Sequence, residues 1–77
     1  MKKITVREKQ VLGLICAGLT NLEIAQRLFI SKSTISAHVN NMYEKVLGVD
    51  RKNNPRAQLV DYTHKYNLLG QGDGGNT

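Results

Sequence analysis

The sequence predicts an all-α domain of four short helices, and two observations support this prediction. Helix-start signals recur along the chain: S/T-x-x-E boxes begin at Thr5 and Thr20, Ser31 is a third N-cap, and Asn54-Pro55 is a fourth. Apolar residues after these signals recur at steps of three and four, the helical period. No segment shows the alternating pattern that is typical of a strand.

The composition fits one small domain with a basic charge that suits an anionic partner. The chain has 77 residues, 40% hydrophobic and 5% aromatic without Trp, so the core is expected to be aliphatic. The net charge of +5 is compatible with nucleic acid without requiring it. A single cysteine excludes an internal disulfide and fits a reducing compartment. No apolar run approaches the roughly 18 residues of a membrane span, and no signal peptide is visible. A cytoplasmic protein without a membrane partner is therefore expected.

The first two helices follow their capping boxes. The Thr5 hydroxyl can accept from the Glu8 amide while Glu8 reaches back, and Gly18 suits a left-handed helix end. These signals predict helix 1 over residues 6–17. The second box, which begins at Thr20, predicts helix 2 over residues 21–28.

The last two helices follow Ser31 and the Asn54-Pro55 pair. After Ser31 the helical period continues to Val46, which predicts helix 3 over residues 32–46. Proline at the first helical position predicts helix 4 over residues 55–67. The end of the chain, "GQGDGGNT", is Gly-rich and aperiodic, which predicts a domain over residues 1–69 and a disordered tail over 70–77.

The connection between helices 2 and 3 contains only Phe29-Ile30-Ser31, so the two helices must cross steeply with Ile30 sealing the corner. Such a pair is a helix-turn-helix. Helix 3 also carries small polar residues away from its apolar stripe: Ser33, Thr34, Ser36 and Asn40. Small side chains permit close approach to a major groove about 12 Å wide, so double-stranded DNA is the expected partner.

Several of these segments resemble the LuxR/GerE-type helix-turn-helix domain of bacterial transcription regulators. The similar segments are "ITVREKQVL", "GLTNLEIAQRLFIS", "STISAHVNNMYEKV" and "LGV", and the resemblance covers residues 4 to about 65. It implies a transcription regulator that binds DNA as a homodimer. Many relatives attach this domain to a receiver or ligand-binding domain, but Met1 stands four residues before the first cap, so the chain is expected to be either a stand-alone regulator or an excised fragment.

The resemblance also implies roles for individual residues. Helix 3 would read base edges through Ser36, Ala37 and Asn40. Phosphates would be contacted by Thr20, Asn21, Lys32, Ser33, Thr34 and Lys45. Helix 4 would pair two subunits through Leu59, Tyr62 and Tyr66, although the two tyrosines could equally cap the domain core.

Three departures from the family pattern favour an alternative function. Family members often carry Lys or Arg at the positions of Ser36 or Asn40, and Leu22 replaces a frequently charged residue near the DNA-facing edge. The link "VLGVDRKNNP" between helices 3 and 4 is enlarged, although Arg56 matches the arginine that usually opens helix 4. The alternative is an interaction module that binds RNA polymerase or another regulator, with DNA binding lost or secondary.

No other chemistry is indicated by the sequence. His38 has no Cys, Asp or Glu at ligand spacing and is interpreted as a packed structural histidine. Cys16 lies among apolar residues and is interpreted as an inert thiol, and the "DRKNN" run as a solvated loop. No catalytic pair, metal cluster or phosphate loop is present, so no enzyme, cofactor, metal or small-molecule ligand is expected.

Overall fold

The computed structural model describes residues 3–70, and these residues form four α-helices. They are α1 (Val6–Cys16), α2 (Asn21–Leu28), α3 (Lys32–Met42) and α4 (Pro55–Tyr66). Residues 3–70 contain no strand, so the all-α prediction is confirmed. The predicted tail lies outside the described residues except for Gly70. Within residues 3–70, no helix combines the length and the apolar character that a membrane crossing needs.

The two predicted capping boxes are both formed. In α1, the Glu8 amide donates to Thr5 Oγ1 at 3.1 Å and the Thr5 amide donates to Glu8 Oε1 at 2.9 Å. In α2, the Glu23 amide and Thr20 Oγ1 are 3.2 Å apart, and the return bond is 2.8 Å. Each box satisfies two N–H groups that a helix start leaves without partners, which sets where these helices begin.

The core is aliphatic, as the composition predicted, and all four helices contribute to it. Six of its side chains are fully buried: Val11, Leu12, Ile24, Ile35, Met42 and Leu59. Burying one such side chain stabilises the fold by about 1.5–3 kcal/mol. Ile30, in the turn between α2 and α3, packs against this core and seals the corner, as predicted.

The regular part of helix 3 ends earlier than predicted. The chain is helical over the predicted residues 32–46, but the α-helix itself stops at Met42 and is followed by a π-helical turn over Tyr43–Leu47. Tyr43, Val46 and Leu47 are all buried. A π turn is wider than an α turn and rotates successive side chains less, so neighbouring residues can face the core together. A 3-10 turn, Gly48–Asp50, follows.

The enlarged link to α4 is ordered by side-chain contacts. Gln58 in α4 accepts from the Lys52 amide at 2.9 Å and donates to the Asp50 carbonyl at 2.7 Å. The Arg51 guanidinium lies 4.8 Å from the centre of the Tyr43 ring, a cation–π contact. The side chains of residues 50–54 are exposed, which agrees with the predicted solvated loop.

Candidate nucleic-acid interface

The outer face of α3 presents a stripe of small polar side chains. Ser33, Ala37 and Asn40 are exposed and Ser36 is half-buried, at the i, i+3, i+4, i+7 spacing of a single helix face. The opposite face of α3 is buried through Ile35, Val39 and Met42. We call Ser33, Ser36, Ala37 and Asn40 the reading stripe. It is solvent-facing and carries no large side chain.

Hydroxyl groups cluster at the start of α3. Ser31 Oγ accepts from the Thr34 amide at 3.2 Å and lies 2.8 Å from Thr34 Oγ1 and 3.2 Å from Ser33 Oγ. Lys32 is exposed beside them at the first helical position. A helix N-terminus carries partial positive charge, so hydroxyl donors and an ammonium here suit an anion.

The start of α2 is similar. Thr20 is exposed, and its hydroxyl oxygen is used as an acceptor by the Glu23 amide. Because a hydroxyl has one hydrogen and two lone pairs, the Thr20 O–H remains able to donate outward. The Glu23 carboxylate accepts from the Thr20 amide, and its negative charge lies at the favourable end of the helix.

The side chain of Asn21, a predicted phosphate contact, is hydrogen-bonded within the protein. Its Oδ1 accepts from Arg56 Nη1 at 2.7 Å, and its Nδ2 donates to Ser36 Oγ at 3.4 Å. Arg56 Nη2 also donates to the Leu19 carbonyl at 2.7 Å. The Asn21 main-chain N–H, at the first position of α2, has no acceptor inside the helix and is the group that can face an anion.

Lys45, another predicted phosphate contact, forms an ion pair with Glu8. Lys45 Nζ lies 2.7 Å from Glu8 Oε1, with Glu8 3% exposed and the Lys45 side chain 22% exposed. Burial raises the pKa of the Glu8 carboxyl, but the bonds from Lys45 and the Thr5 amide outweigh it and hold that pKa below its ordinary value. A phosphate contact would require the Lys45 ammonium to serve two anions.

The α4 residues predicted to contact a second subunit have different surroundings. Leu59 is 0% exposed, so the expectation that it contacts a second subunit was wrong, because it packs in the core of its own protomer. Tyr62 is half-buried against that core. Tyr66 is 53% exposed, with its ring centre 5.0 Å from that of Tyr62. Tyr66, and Tyr62 at its exposed edge, are the side chains that remain accessible to a partner.

Two large apolar side chains are exposed at α2, and the sequence predicted only one of them. Leu22 is 52% exposed on α2, as its position suggested, and Phe29 is 95% exposed. Phe29 ends α2 with φ 57°, in the left-handed region that usually takes Gly or Asn. A Phe at that position carries no sequence signal for such a turn.

The remaining reactive side chains lie outside the reading stripe. Burial raises the pKa of the half-buried Cys16 thiol, so its reactive thiolate form is disfavoured. His38 is half-buried. In the part of the chain that the structure describes, no three His, Cys, Asp or Glu side chains are grouped to hold a metal.

Comparison with known proteins identifies relatives of the chain. The model of the bacterial regulatory proteins of the luxR family matches residues 2–62. The uncharacterized transcriptional regulatory protein YhcZ of Bacillus subtilis (strain 168) is 42% identical over 69 residues, which is 90% of this chain and 30% of YhcZ. Fimbriae Z protein of Escherichia coli (strain K12) is 40% identical over 63 residues, 82% of this chain and 28% of that protein.

A third relative is much longer. The HTH-type transcriptional regulator MalT of Vibrio campbellii is 47% identical over 49 residues, 64% of this chain and 5% of MalT. The chain thus spans less than a third of these relatives, and no solved structure matches it. The family is one of regulatory proteins, in agreement with the expectation of a protein that is not an enzyme. The matched region covers most of the chain, which therefore belongs to the luxR family of bacterial regulatory proteins.

Proposed function

We propose that the chain is a DNA-binding transcription regulator whose α3 enters the major groove. The observation that carries the proposal is the reading stripe, which lies opposite a fully buried helix face. The Asn40 amide can bond the N6 and N7 atoms of adenine together, and the Ala37 methyl can contact the methyl of thymine. The stripe carries no Lys or Arg, so A·T-rich sites are favoured.

Phosphate contacts would flank this stripe at the starts of α2 and α3. The groups available are the Thr20 hydroxyl, the Asn21 main-chain N–H, Lys32, Ser33 and Thr34. Such contacts position the duplex and carry little sequence information. Lys45 would add a contact only by sharing its ammonium with Glu8.

A salt titration tests the proposal most directly. If each subunit neutralises about four phosphates, log affinity for duplex DNA should fall against log salt with a slope of about −3.6. Lys32→Ala should weaken all duplexes alike, whereas Asn40→Ala should cost about 1–3 kcal/mol at a preferred site only.

Gln10→Ala, on the exposed side of α1, is the matched control. It should change neither the affinity for all duplexes nor the preference for one site. Affinity that does not respond to salt would contradict the proposal. Equal weakening of random and preferred duplexes by Asn40→Ala would remove the reading role from the stripe.

The proposed regulator acts as a homodimer through the outer face of α4. Tyr66 is 53% exposed at the end of that helix, and Tyr62 lies beside it. A two-fold pair would place two recognition helices about 34 Å apart and call for an inverted repeat in the DNA. Sedimentation of the free protein and of its DNA complex measures the number of subunits in each. Tyr66→Lys should weaken self-association while Gln10→Lys should not, and a monomer in both states would exclude the dimer.

A second candidate function is an interaction module that binds RNA polymerase or another regulator. The observation that favours it is the exposed apolar pair on and after α2, Leu22 and Phe29. Exposed apolar side chains of this size can contact a protein partner. Two results together would favour this function over the first. Binding to DNA would not depend on salt, and binding to purified RNA polymerase would tolerate salt and be lost in Leu22→Ser.

A further inference from the structure

A continuous line of hydrogen bonds connects α4 to the reading stripe. It runs from Arg56 Nη1 to Asn21 Oδ1 at 2.7 Å, and from Asn21 Nδ2 to Ser36 Oγ at 3.4 Å. A second guanidinium nitrogen holds the Leu19 carbonyl at 2.7 Å. All three side chains, Arg56, Asn21 and Ser36, are half-buried, so the line is partly shielded from water.

The direction of each bond follows from the chemistry of its partners. A guanidinium has only donors, so the Asn21 atom that faces Arg56 must be the carbonyl oxygen. The NH₂ group of the same amide then faces Ser36. Because that group is a donor, the Ser36 oxygen must act as the acceptor, and the single Ser36 hydrogen is left to donate elsewhere.

We propose that Arg56 and Asn21 are positioning residues that make the Ser36 hydroxyl a hydrogen-bond donor toward the DNA. This inference rests on the proposed function. In the major groove, guanine, adenine and thymine each present an acceptor at N7, O6 or O4, whereas cytosine presents only its amino donor. The base that faces Ser36 is therefore guanine, adenine or thymine, and cytosine is disfavoured at that position.

Asn21→Asp tests the direction of the line with little change in shape. Its carboxylate still accepts from Arg56, but it offers an acceptor to Ser36 in place of the NH₂ donor. Ser36 must then donate inward and can only accept from the DNA. At the base facing Ser36, we expect cytosine to gain by about three- to tenfold relative to guanine and thymine, which present no amino donor in the major groove; this is the range of a single hydrogen bond.

The position that faces Ser36 is found by experiment. Wild-type protein and Ser36→Ala are each used to select duplexes from a randomised pool, and the base pair whose preference Ser36→Ala removes is the one in contact. Affinities are then measured for duplexes that differ only at that base pair. The negative charge that Asn21→Asp introduces weakens binding to every duplex, so the readout is the ratio of the affinities, which a purely structural role would leave unchanged.

Three controls complete the test. The Asn21→Asp shift should vanish in the Ser36→Ala background, because the hydroxyl that transmits it is gone. Arg56→Gln should reduce the discrimination, whereas Arg51→Gln, over the Tyr43 ring, should not. Thermal unfolding confirms that each variant is folded, and Asn21→Asp keeps the test available if Arg56→Gln does not fold.

The outcomes separate this inference from the proposed function. An unchanged affinity ratio in Asn21→Asp overturns the inference alone. Wild-type binding to DNA without any base preference that depends on Ser36 also overturns it alone. Absence of wild-type binding to any duplex overturns both.

Discussion

Residues 20–42 and residues 43–66 are the two halves of the region that follows α1, and they are held by different kinds of contact. In the first half, α2 and α3 begin with cap bonds between residues three apart, from Thr20 to Glu23 and from Ser31 to Thr34. In the second half, a π turn and an exposed link lead to α4. The Gln58 side chain holds the link by bonding to the main chain of Asp50 and Lys52. The starts of α2 and α3 are therefore fixed by local contacts, while the link that leads to α4 is held by polar contacts with α4 itself.

The hydrophobic core is what the two halves share, and disrupting it should have the largest effect. Ile35→Ala in α3 and Leu59→Ala in α4 each remove a fully buried side chain. We expect each to lower the free energy of unfolding by about 3–4 kcal/mol, because a cavity adds to the lost burial. Denaturant unfolding measures this, with the fully exposed Val49→Ala as a control.

Both core variants should unfold in one cooperative transition. In Leu59→Ala, α4 could instead unfold in a separate step while residues 20–42 stay folded. That result would show that the two halves are independent folding units.

The ion pair between Glu8 and Lys45 ties α1 to the π turn, and breaking it should have the next largest effect. Lys45→Met leaves the buried Glu8 carboxylate without its counter-ion. We expect a loss of about 3 kcal/mol, the lower end for a buried pair because Lys45 is 22% exposed. Thermal and denaturant unfolding at neutral pH measure the loss, with Lys9→Met on the exposed side of α1 as the matched control. A loss no larger than that of the control would mean that the pair contributes nothing.

The same pair predicts a pH dependence with a defined sign. The pKa of Glu8 lies below its ordinary value of 4.5 in the folded protein, so its contribution to stability is present above pH 4.5. The contribution is lost as the pH falls through the folded-state pKa. Wild-type protein should therefore lose more stability on acidification from pH 5 than Glu8→Gln, which keeps the cap acceptor for the Thr5 amide without the charge. Parallel pH profiles of the two proteins would contradict this.

The two bonds from Gln58 should stabilise the link more than they stabilise α2 and α3. Gln58→Ala removes the acceptor for the Lys52 amide and the donor for the Asp50 carbonyl, and we expect a cost of about 1–2 kcal/mol. Hydrogen exchange should become faster at the Lys52 amide while protection in α2 and α3 is retained. Gln26→Ala, exposed on α2, is the matched control. Faster exchange throughout α3 would show that the link also supports that helix.

The smallest expected effect is a gain in stability at the end of α2. Both α2 and α4 end in a left-handed residue, Phe29 with φ 57° and Asn67 with φ 52°. Phe29 is 95% exposed, so Phe29→Asn loses little burial and relieves backbone strain by about 0.5–1 kcal/mol. Asn67→Ala should lose a similar amount. A melting temperature that falls in Phe29→Asn would show that the ring has a stabilising contact.

The local signals in the sequence predicted the four helix starts, because each depends on residues three or four apart. The early end of α3 could not be predicted in this way, since it depends on Tyr43 and Leu47 finding places in the core. Burial of Leu59 was missed because the apolar residues of α4 surround the helix, and spacing alone does not indicate which side meets α1.

The contacts that organise the candidate site were less predictable than the site itself. The helical period predicted the reading stripe. Its support by Arg56 was not predicted, because Arg56 bonds to Asn21, which lies 35 residues away in the chain. The same limit applies to Lys45, whose partner Glu8 is 37 residues away. Asn21 and Lys45 were predicted to contact phosphates because the resemblance implied DNA as the partner. Their side chains also have partners within the protein, Arg56 and Glu8.

A single oxygen atom, Oε1 of Glu8, accepts from both the Thr5 amide and the Lys45 ammonium. Position 8 must therefore satisfy a local rule of helix starts and a long-range rule of charge pairing with one side chain. Asp is too short to do both, Gln fulfils only the first, and a charge swap with position 45 would put a cation at the positive end of α1. In a saturation screen for folded protein, position 8 should tolerate fewer residues than Glu23 in the equivalent box of α2, and Arg should be the replacement most readily accepted at position 45.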